Sequence, residues 1–219
     1  IVKSQDILVE LLQLSREKNL RFLPLGHGTN VFFPETGYPG LVAILDFQKM
    51  TYDGDECITI EAGAALKQLN QACQKYSLSG CEFTSGIPGT VGGAVYGNAG
   101  AYGEAISDRL VKAKILTPDG QIKLVDEDYF QFDYRHSFLK KSQDIVLEVT
   151  FQFHKGNAEK ITRRVKEILD MRRKKLPSYK VLTAGSFFKN ITKADGLREA
   201  AAIYLDAIGS KNIAVGDAA

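Results

Sequence analysis

The residues between Gly86 and Gly103 gather seven of the chain's 20 glycines, and no charged side chain interrupts the run from Phe83 to Gly103. Glycine lets a backbone adopt positive φ and lets a ligand come close to the main chain, at an entropic cost that a dense cluster must offset. A cradle of backbone N–H groups around a phosphate, ending in a helix whose N-terminus faces the anion, is one such reason. A flexible linker would be richer in Ser, Lys and Glu and would lack Ile87, Val91, Val95, Tyr96 and Tyr102. The segment is also too glycine-rich to be expected as a core helix. Upstream, Gly26-His27-Gly28-Thr29-Asn30 follows the apolar run Phe22–Leu25. With Val31 where the dinucleotide fingerprint needs its third glycine, and no Gly-Lys-Ser/Thr, it is neither a Rossmann turn nor a P-loop. Two uncharged glycine loops of unusual type suggest a large diphosphate cofactor held from two sides.

Two further sites carry chemistry. Arg135, in Tyr134-Arg135-His136-Ser137, could fork onto a carboxylate with two parallel hydrogen bonds and keeps its proton at any working pH. Ser186 follows Gly185 and precedes Phe187-Phe188-Lys189-Asn190. An ordinary serine hydroxyl is a weak acid, so only its position could make it a proton donor. The basic run Arg172-Arg173-Lys174-Lys175 reads as the solvated end of a helix, where cations suit the dipole. No aromatic platform is interleaved with it, which argues against nucleic acid. Lys174, Lys175 and Lys180 are open as contacts to a diphosphate.

These groups need a scaffold, and the pattern supplies an α+β one. Ser4 can cap a helix to about Lys18, with Ile7, Leu8, Leu11, Leu12 and Leu14 on a broad apolar face. Strands are expected at Arg21–Leu25 and, buried throughout, at Leu41–Leu45, forming a small βαβ-like unit. Cys57–Glu61 alternates as a half-buried strand, and Leu66, Leu69, Cys73 and Tyr76 repeat at helical spacing. Leu110–Thr117, the Pro118-Asp119-Gly120 turn and Gln121–Val125 predict a hairpin. Asp144–Phe153 alternates, and Asn157 can cap a long helix carrying Ile161, Val165, Ile168 and Leu169.

Composition agrees with an ordinary folded chain: 219 residues, 44% hydrophobic, 25% charged, net charge +2. That charge suggests neither a nucleic-acid nor a membrane-surface partner. There is no signal peptide and no apolar run long enough for a span. The three cysteines, Cys57, Cys73 and Cys81, lack Cys-x-x-Cys spacing and favour reduced thiols over zinc or disulfides. Cys73 is expected in the core. The chain begins without Met, and its end, Ile213–Ala219, stops within what reads as a strand and turn. The expectation is a fragment.

Gly26-His27-Gly28-Thr29-Asn30, the Gly86–Gly103 segment, Tyr134-Arg135-His136-Ser137 and Ala184-Gly185-Ser186-Phe187-Phe188-Lys189-Asn190 occur in the order seen in MurB. The chain thus resembles that family of UDP-N-acetylenolpyruvoylglucosamine reductases over nearly its whole length. The family's first loop reads Gly-Gly-Gly-Ser-Asn; His27 and Thr29 depart from it, though Thr keeps the hydroxyl. The resemblance implies an FAD-binding fold of the vanillyl-alcohol-oxidase (PCMH) type in two lobes, 1–48 and 49–176, with 177–219 opening a substrate-binding domain. It implies non-covalent FAD held by Gly26, His27, Gly28, Thr29, Asn30, Gly86, Ile87, Pro88, Gly89, Thr90, Gly92, Gly93, Asn98, Gly100 and Ala101, although histidine anchors flavin covalently in some related oxidases. NADPH would supply the reducing equivalents, and the enolpyruvyl double bond would receive hydride. Arg135 would hold the substrate carboxylate beside Tyr134, Ser186 would protonate the carbon, and Lys189 and Asn190 would contact the substrate. The implied setting is peptidoglycan synthesis by a cytoplasmic monomer. The family's C-terminal glutamate has no counterpart before Ala219, so the chain as written is expected to bind FAD and turn over poorly. A different oxidase of the same fold, or a non-catalytic nucleotide-binding module, are the competing expectations.

Overall fold

Ser4 accepts a hydrogen bond from Ile7 N at 3.3 Å and starts α1 (Gln5–Glu17). The structure, a computed structural model, describes residues 1–175, 185–186 and 188–215. Only Leu8, Leu12 and Ser15 of α1 are buried. Ile7 and Leu14 flank that stripe and stay exposed, so the apolar face is narrower than the sequence suggests. β1 (Arg21–Leu25) and β2 (Gly40–Ile44) pair in parallel, with Arg21 opposite Gly40 and Leu25 opposite Ile44. The expectation of a fully buried second strand fails: Ala43 is buried, whereas Val42 and Ile44 are exposed. Successive strand residues face opposite sides, and α1 packs on this two-stranded sheet.

The elements that follow are β3 (Met50–Tyr52), β4 (Cys57–Glu61), α2 (Leu66–Lys75), β5 (Leu78–Ser79), α3 (Val91–Gly97), β6 (Gly100–Ala101), β7 (Glu104–Ala105), β8 (Leu110–Leu116), β9 (Ile122–Asp126), α4 (Leu139–Ser142), β10 (Ile145–Gln152), β11 (His154–Lys155) and α5 (Ala158–Lys175). Five of these strands form one antiparallel sheet in the order β3-β4-β10-β8-β9. The β8–β9 turn closes through Gly120 N to Thr117 O at 2.9 Å, as the Pro-Asp-Gly signal requires. Asn157 Oδ1 accepts from Lys160 N at 2.9 Å and caps α5. Ile58, Ile60, Leu66, Leu69, Phe83, Leu147, Phe151 and Phe153 lie in one buried apolar cluster. Cys73 and Cys81 belong to it; the hydrogen bond that holds the neutral Cys73 thiol against Cys81, and then burial, push the Cys73 thiol above its ordinary pKa.

The register of β10 shifts between Val146 and Glu148. At that point Leu147 O accepts from Ala62 N at 2.9 Å, and Ala62 O accepts in turn from Gly92 N at 2.9 Å. The sheet therefore grips the glycine segment by its backbone.

Residues 1–176 form one compact unit and residues 177–219 another. In the second, β12 (Ile191–Thr192) and β13 (Arg198–Glu199) make an antiparallel hairpin followed by α6 (Ala201–Ala207). Pro177, Lys180, Ala184, Phe187 and 216–219, on which sequence expectations fall, lie outside the described residues.

Candidate functional site

The glycine segment is not a loop throughout. Its middle is α3, whose Val91, Ala94 and Val95 are buried, which corrects the expectation that so much glycine excludes a packed helix. Glycine there serves close approach: a Cβ at Gly92 would stand 2.8 Å from the Ala62 Cβ. Thr90 caps α3, accepting from Gly93 N at 3.2 Å. Val91 N donates to Ala64 O at 2.8 Å and Gly92 N to Ala62 O. The first turn of the helix is thus already bonded to the protein. The donors left to a ligand lie in the bend before it, at the amides of Gly86, Gly89 and Thr90, which have no acceptor among the described residues.

The first loop, Gly26–Asn30, meets that bend. Thr29 Oγ1 donates to Pro88 O at 3.3 Å. A Cβ at Gly26 would overlap Thr90 Oγ1 and stand 3.1 Å from its Cγ2, so only glycine permits this contact. Gly28 sits at φ +68°. The amides of His27, Gly28, Thr29 and Asn30 have no acceptor among the described residues. Two bends in contact therefore present a joint set of free N–H groups, the arrangement that suits an anion.

The base of the second bend is fixed by a residue that sequence reading passed over. Asn70 on α2 is buried, and its Nδ2 donates to Cys81 O at 3.1 Å, Thr84 Oγ1 at 3.3 Å and Ser85 Oγ at 3.0 Å. A buried side-chain amide is costly unless bonded; here it pins the approach to Gly86. The signal was present as an Asn on an otherwise apolar helix face.

Arg135 lies on a turn tied to the other end of α3. Asp133 and His136 exchange backbone bonds of 3.2 and 3.0 Å around a tight turn whose second central residue is Arg135, at φ +54°. That conformation favours glycine and is strained for arginine. Asn98, the left-handed cap of α3, donates from Nδ2 to Asp133 O at 3.0 Å and accepts at Oδ1 from Ser107 N at 3.3 Å. Both ends of its side chain are thus engaged with the protein. Ser137, fully buried, donates to Tyr96 O at 2.8 Å. Lys140 Nζ donates to Arg135 O at 2.7 Å. The guanidinium stands over the Tyr134 ring, 5.4 Å from its centre, and has no acidic partner among the described residues. A half-buried, unpaired cation on a strained turn is a receptor for an anionic group. Gly100 and Ala101 form β6, whose hairpin to β7 turns through Tyr102 and Gly103, both at positive φ.

Ser186, Lys189 and Asn190 belong to the second unit. Ser186 and Asn190 line a cleft of about 390 Å³ with Gly185, Phe188 and α6 residues Ala201 and Leu205. Lys189 is exposed. Among the described residues no group of His, Cys, Asp and Glu could hold a metal ion.

The comparisons fit this geometry. The FAD binding domain family matches residues 1–126, which include both glycine bends. UDP-N-acetylenolpyruvoylglucosamine reductase of Lactiplantibacillus plantarum is 38% identical over 182 residues, 83% of this chain and 60% of that one. The Clostridium botulinum (strain Eklund 17B) reductase is 38% identical over 187 residues, 85% of this chain and 61% of that one. The crystal structure of MurB from Thermus caldophilus superposes with a TM-score of 0.76 at 32% identity, covering 94% of this chain and 73% of that one. The chain belongs to the MurB family of UDP-N-acetylenolpyruvoylglucosamine reductases. It spans about three fifths of the length of the curated relatives it matches.

Proposed function

We propose that the chain acts in the NADPH-driven reduction of UDP-N-acetylenolpyruvoylglucosamine to UDP-N-acetylmuramate, a step of peptidoglycan synthesis, with FAD as non-covalent cofactor. The observation that carries this reading is Arg135: an uncountered guanidinium on a strained turn bonded to the helix that leaves the phosphate-type bend. The joined bends fit a diphosphate, because free amides from both, rather than a side-chain cation, would take its charge. FAD supplies hydride chemistry when bound.

The chain's own residues do the rest. His27–Asn30 and Gly86–Thr90 hold the cofactor between lobes 1–48 and 49–176. Arg135 forks onto the substrate carboxylate and stabilises the negative charge that would spread into it from the adjoining carbon when the outer vinyl carbon takes hydride. A preorganised donor of this kind is worth about 3 kcal/mol in a water-poor site. Ser186 delivers the proton to the charged carbon beside the carboxylate, and Tyr134, Lys189 and Asn190 position the sugar nucleotide. A setting that supplies NADPH and sugar nucleotides is the cytoplasm, and the chain acts there as a monomer. Among the described residues no helix is long and apolar enough to cross a membrane.

The test is a flavin absorption spectrum of the purified chain, followed by bleaching with NADPH and recovery with the enolpyruvyl sugar nucleotide. Arg135→Lys should bleach normally and recover at least a hundredfold more slowly, since lysine keeps the charge and loses the fork. Recovery at the wild-type rate would remove Arg135 from the chemistry. Recovery with oxygen and a simple alcohol substrate, and not with the sugar nucleotide, would identify an oxidase instead.

A further inference from the structure

The basic run that closes α5 divides into unlike members. Arg173 is the solvated helix-end residue the sequence suggests, 77% exposed at its side chain and paired with Asp170 at 3.1 Å. Arg172 is not. Its Nε is buried and has no hydrogen-bond partner, alone among the buried side-chain nitrogens and oxygens of the described residues. A Cβ placed on Gly86 would lie 3.0 Å from both Cδ and Nε of Arg172 and 3.2 Å from Leu169 Cδ2. The arginine stem is therefore laid against the start of the second glycine bend, and Gly86, at φ +73°, keeps the space open for it.

An arginine near a helix C-terminus ordinarily bonds the last carbonyls or a carboxylate. Arg172 does neither. It also cannot relieve a buried, unpaired N–H by losing its proton, as a lysine could. A buried charge-bearing donor without an acceptor is costly, and native folds keep one where something outside the chain completes it. The amides of Gly86, Gly89 and Thr90 share this bend and are likewise without acceptors among the described residues.

We propose that Arg172 is a cofactor-holding residue whose guanidinium donates to an anionic oxygen of FAD at the Gly86 bend. The assignment rests on the FAD reading above and goes beyond it, because the bends alone would bind through neutral amides. FAD carries anionic oxygen in two places, its diphosphate and the pyrimidine edge of its reduced isoalloxazine. Charge-assisted donation is the same chemistry at either.

FAD is titrated into the cofactor-free chain, its Arg172→Gln and Arg172→Lys variants and an Arg173→Gln control, with thermal midpoints recorded without flavin. Arg172→Gln should weaken FAD about tenfold or more, Arg172→Lys less, and Arg173→Gln less than twofold. The flavin-free midpoint of Arg172→Gln should equal or exceed that of the wild type, because the unpaired cation is then gone. Loss of ADP affinity in the same proportion assigns the diphosphate. Unchanged ADP affinity with a lowered flavin midpoint potential assigns the isoalloxazine edge. Unchanged FAD affinity and potential in Arg172→Gln overturn the proposal, as does a lowered flavin-free midpoint with unchanged FAD affinity, which makes Arg172 a packing residue. A wild-type chain that binds no FAD would instead overturn the FAD reading, and this assignment with it.

Discussion

The two glycine bends differ in what they do with their backbones. In the richer one, from Val91 onward, the amides are spent on the fold: Val91 and Gly92 bond the turn that follows β4, Gly93 bonds the Thr90 hydroxyl, and Ile106 N returns to Ala99 O at 2.9 Å. In the sparser one, the amides of His27, Gly28, Thr29 and Asn30 remain without acceptors among the described residues. The count of glycines therefore points to the wrong half of the richer segment. Gly92 is glycine because Ala62 crowds it; Gly28 is glycine because the turn needs positive φ. One segment is mostly mounting, and the cradle is the short seam where Thr29 and Gly26 meet Pro88 and Thr90.

That seam is the place to break the comparison with the largest effect. Gly26→Ala inserts a methyl that overlaps Thr90 Oγ1. Thr90 is buried and cannot turn its hydroxyl aside without giving up the α3 cap. The bends must part, so FAD affinity should fall more than a hundredfold in a fluorescence titration, by the geometric sensitivity of preorganised sites. Circular dichroism should show the fold retained, because Gly26 lies outside the buried cluster. Wild-type affinity in this variant would mean that the two bends need not touch to bind.

Much of the scaffold was legible because local rules suffice for it. The Ser4 cap, the Asn157 cap and the Pro118-Asp119-Gly120 hairpin each depend on a few neighbouring residues. What escaped depends on partners distant in the chain. The exposure of Val42 and Ile44 reflects which face of a two-stranded sheet α1 covers, which no period-2 pattern encodes. The helix inside the glycine segment forms because Ala62 and Ala64 accept its first amides and the core takes Val91, Ala94 and Val95. Tertiary packing overrides the low propensity of glycine there. Arg135 was legible as a charge, and its left-handed backbone was not. Arg172 was read with Arg173 because sequence gives both the same neighbours; only the contact with Gly86 separates them.

A middle-sized effect sharpens the contrast from the mounting side. Gly92→Ala would press a methyl 2.8 Å from the Ala62 Cβ and 3.2 Å from Ala62 O, with backbone on one side that cannot swing away. Overpacking of this kind costs about 1–3 kcal/mol. The denaturation midpoint without flavin should drop accordingly, while the residual folded chain should bind FAD within a few-fold of wild type. A loss of affinity far larger than the loss of stability would place Gly92 in the cradle rather than the mounting.

The smallest effect belongs to the side chain that joins the halves. Thr29 Oγ1 donates to Pro88 O at 3.3 Å on an exposed surface, a long bond in competition with water. Thr29→Ala removes it and leaves the Thr29 amide in place, so flavin-free stability should change by less than about 0.5 kcal/mol. If the free amides of the sparse bend do the holding, FAD affinity should weaken only about two- to fivefold, the share of one weak hydrogen bond. A loss approaching that of Gly26→Ala would show that the hydroxyl itself, rather than the row of amides beside it, grips the cofactor, and would move the weight of the site from backbone to side chain.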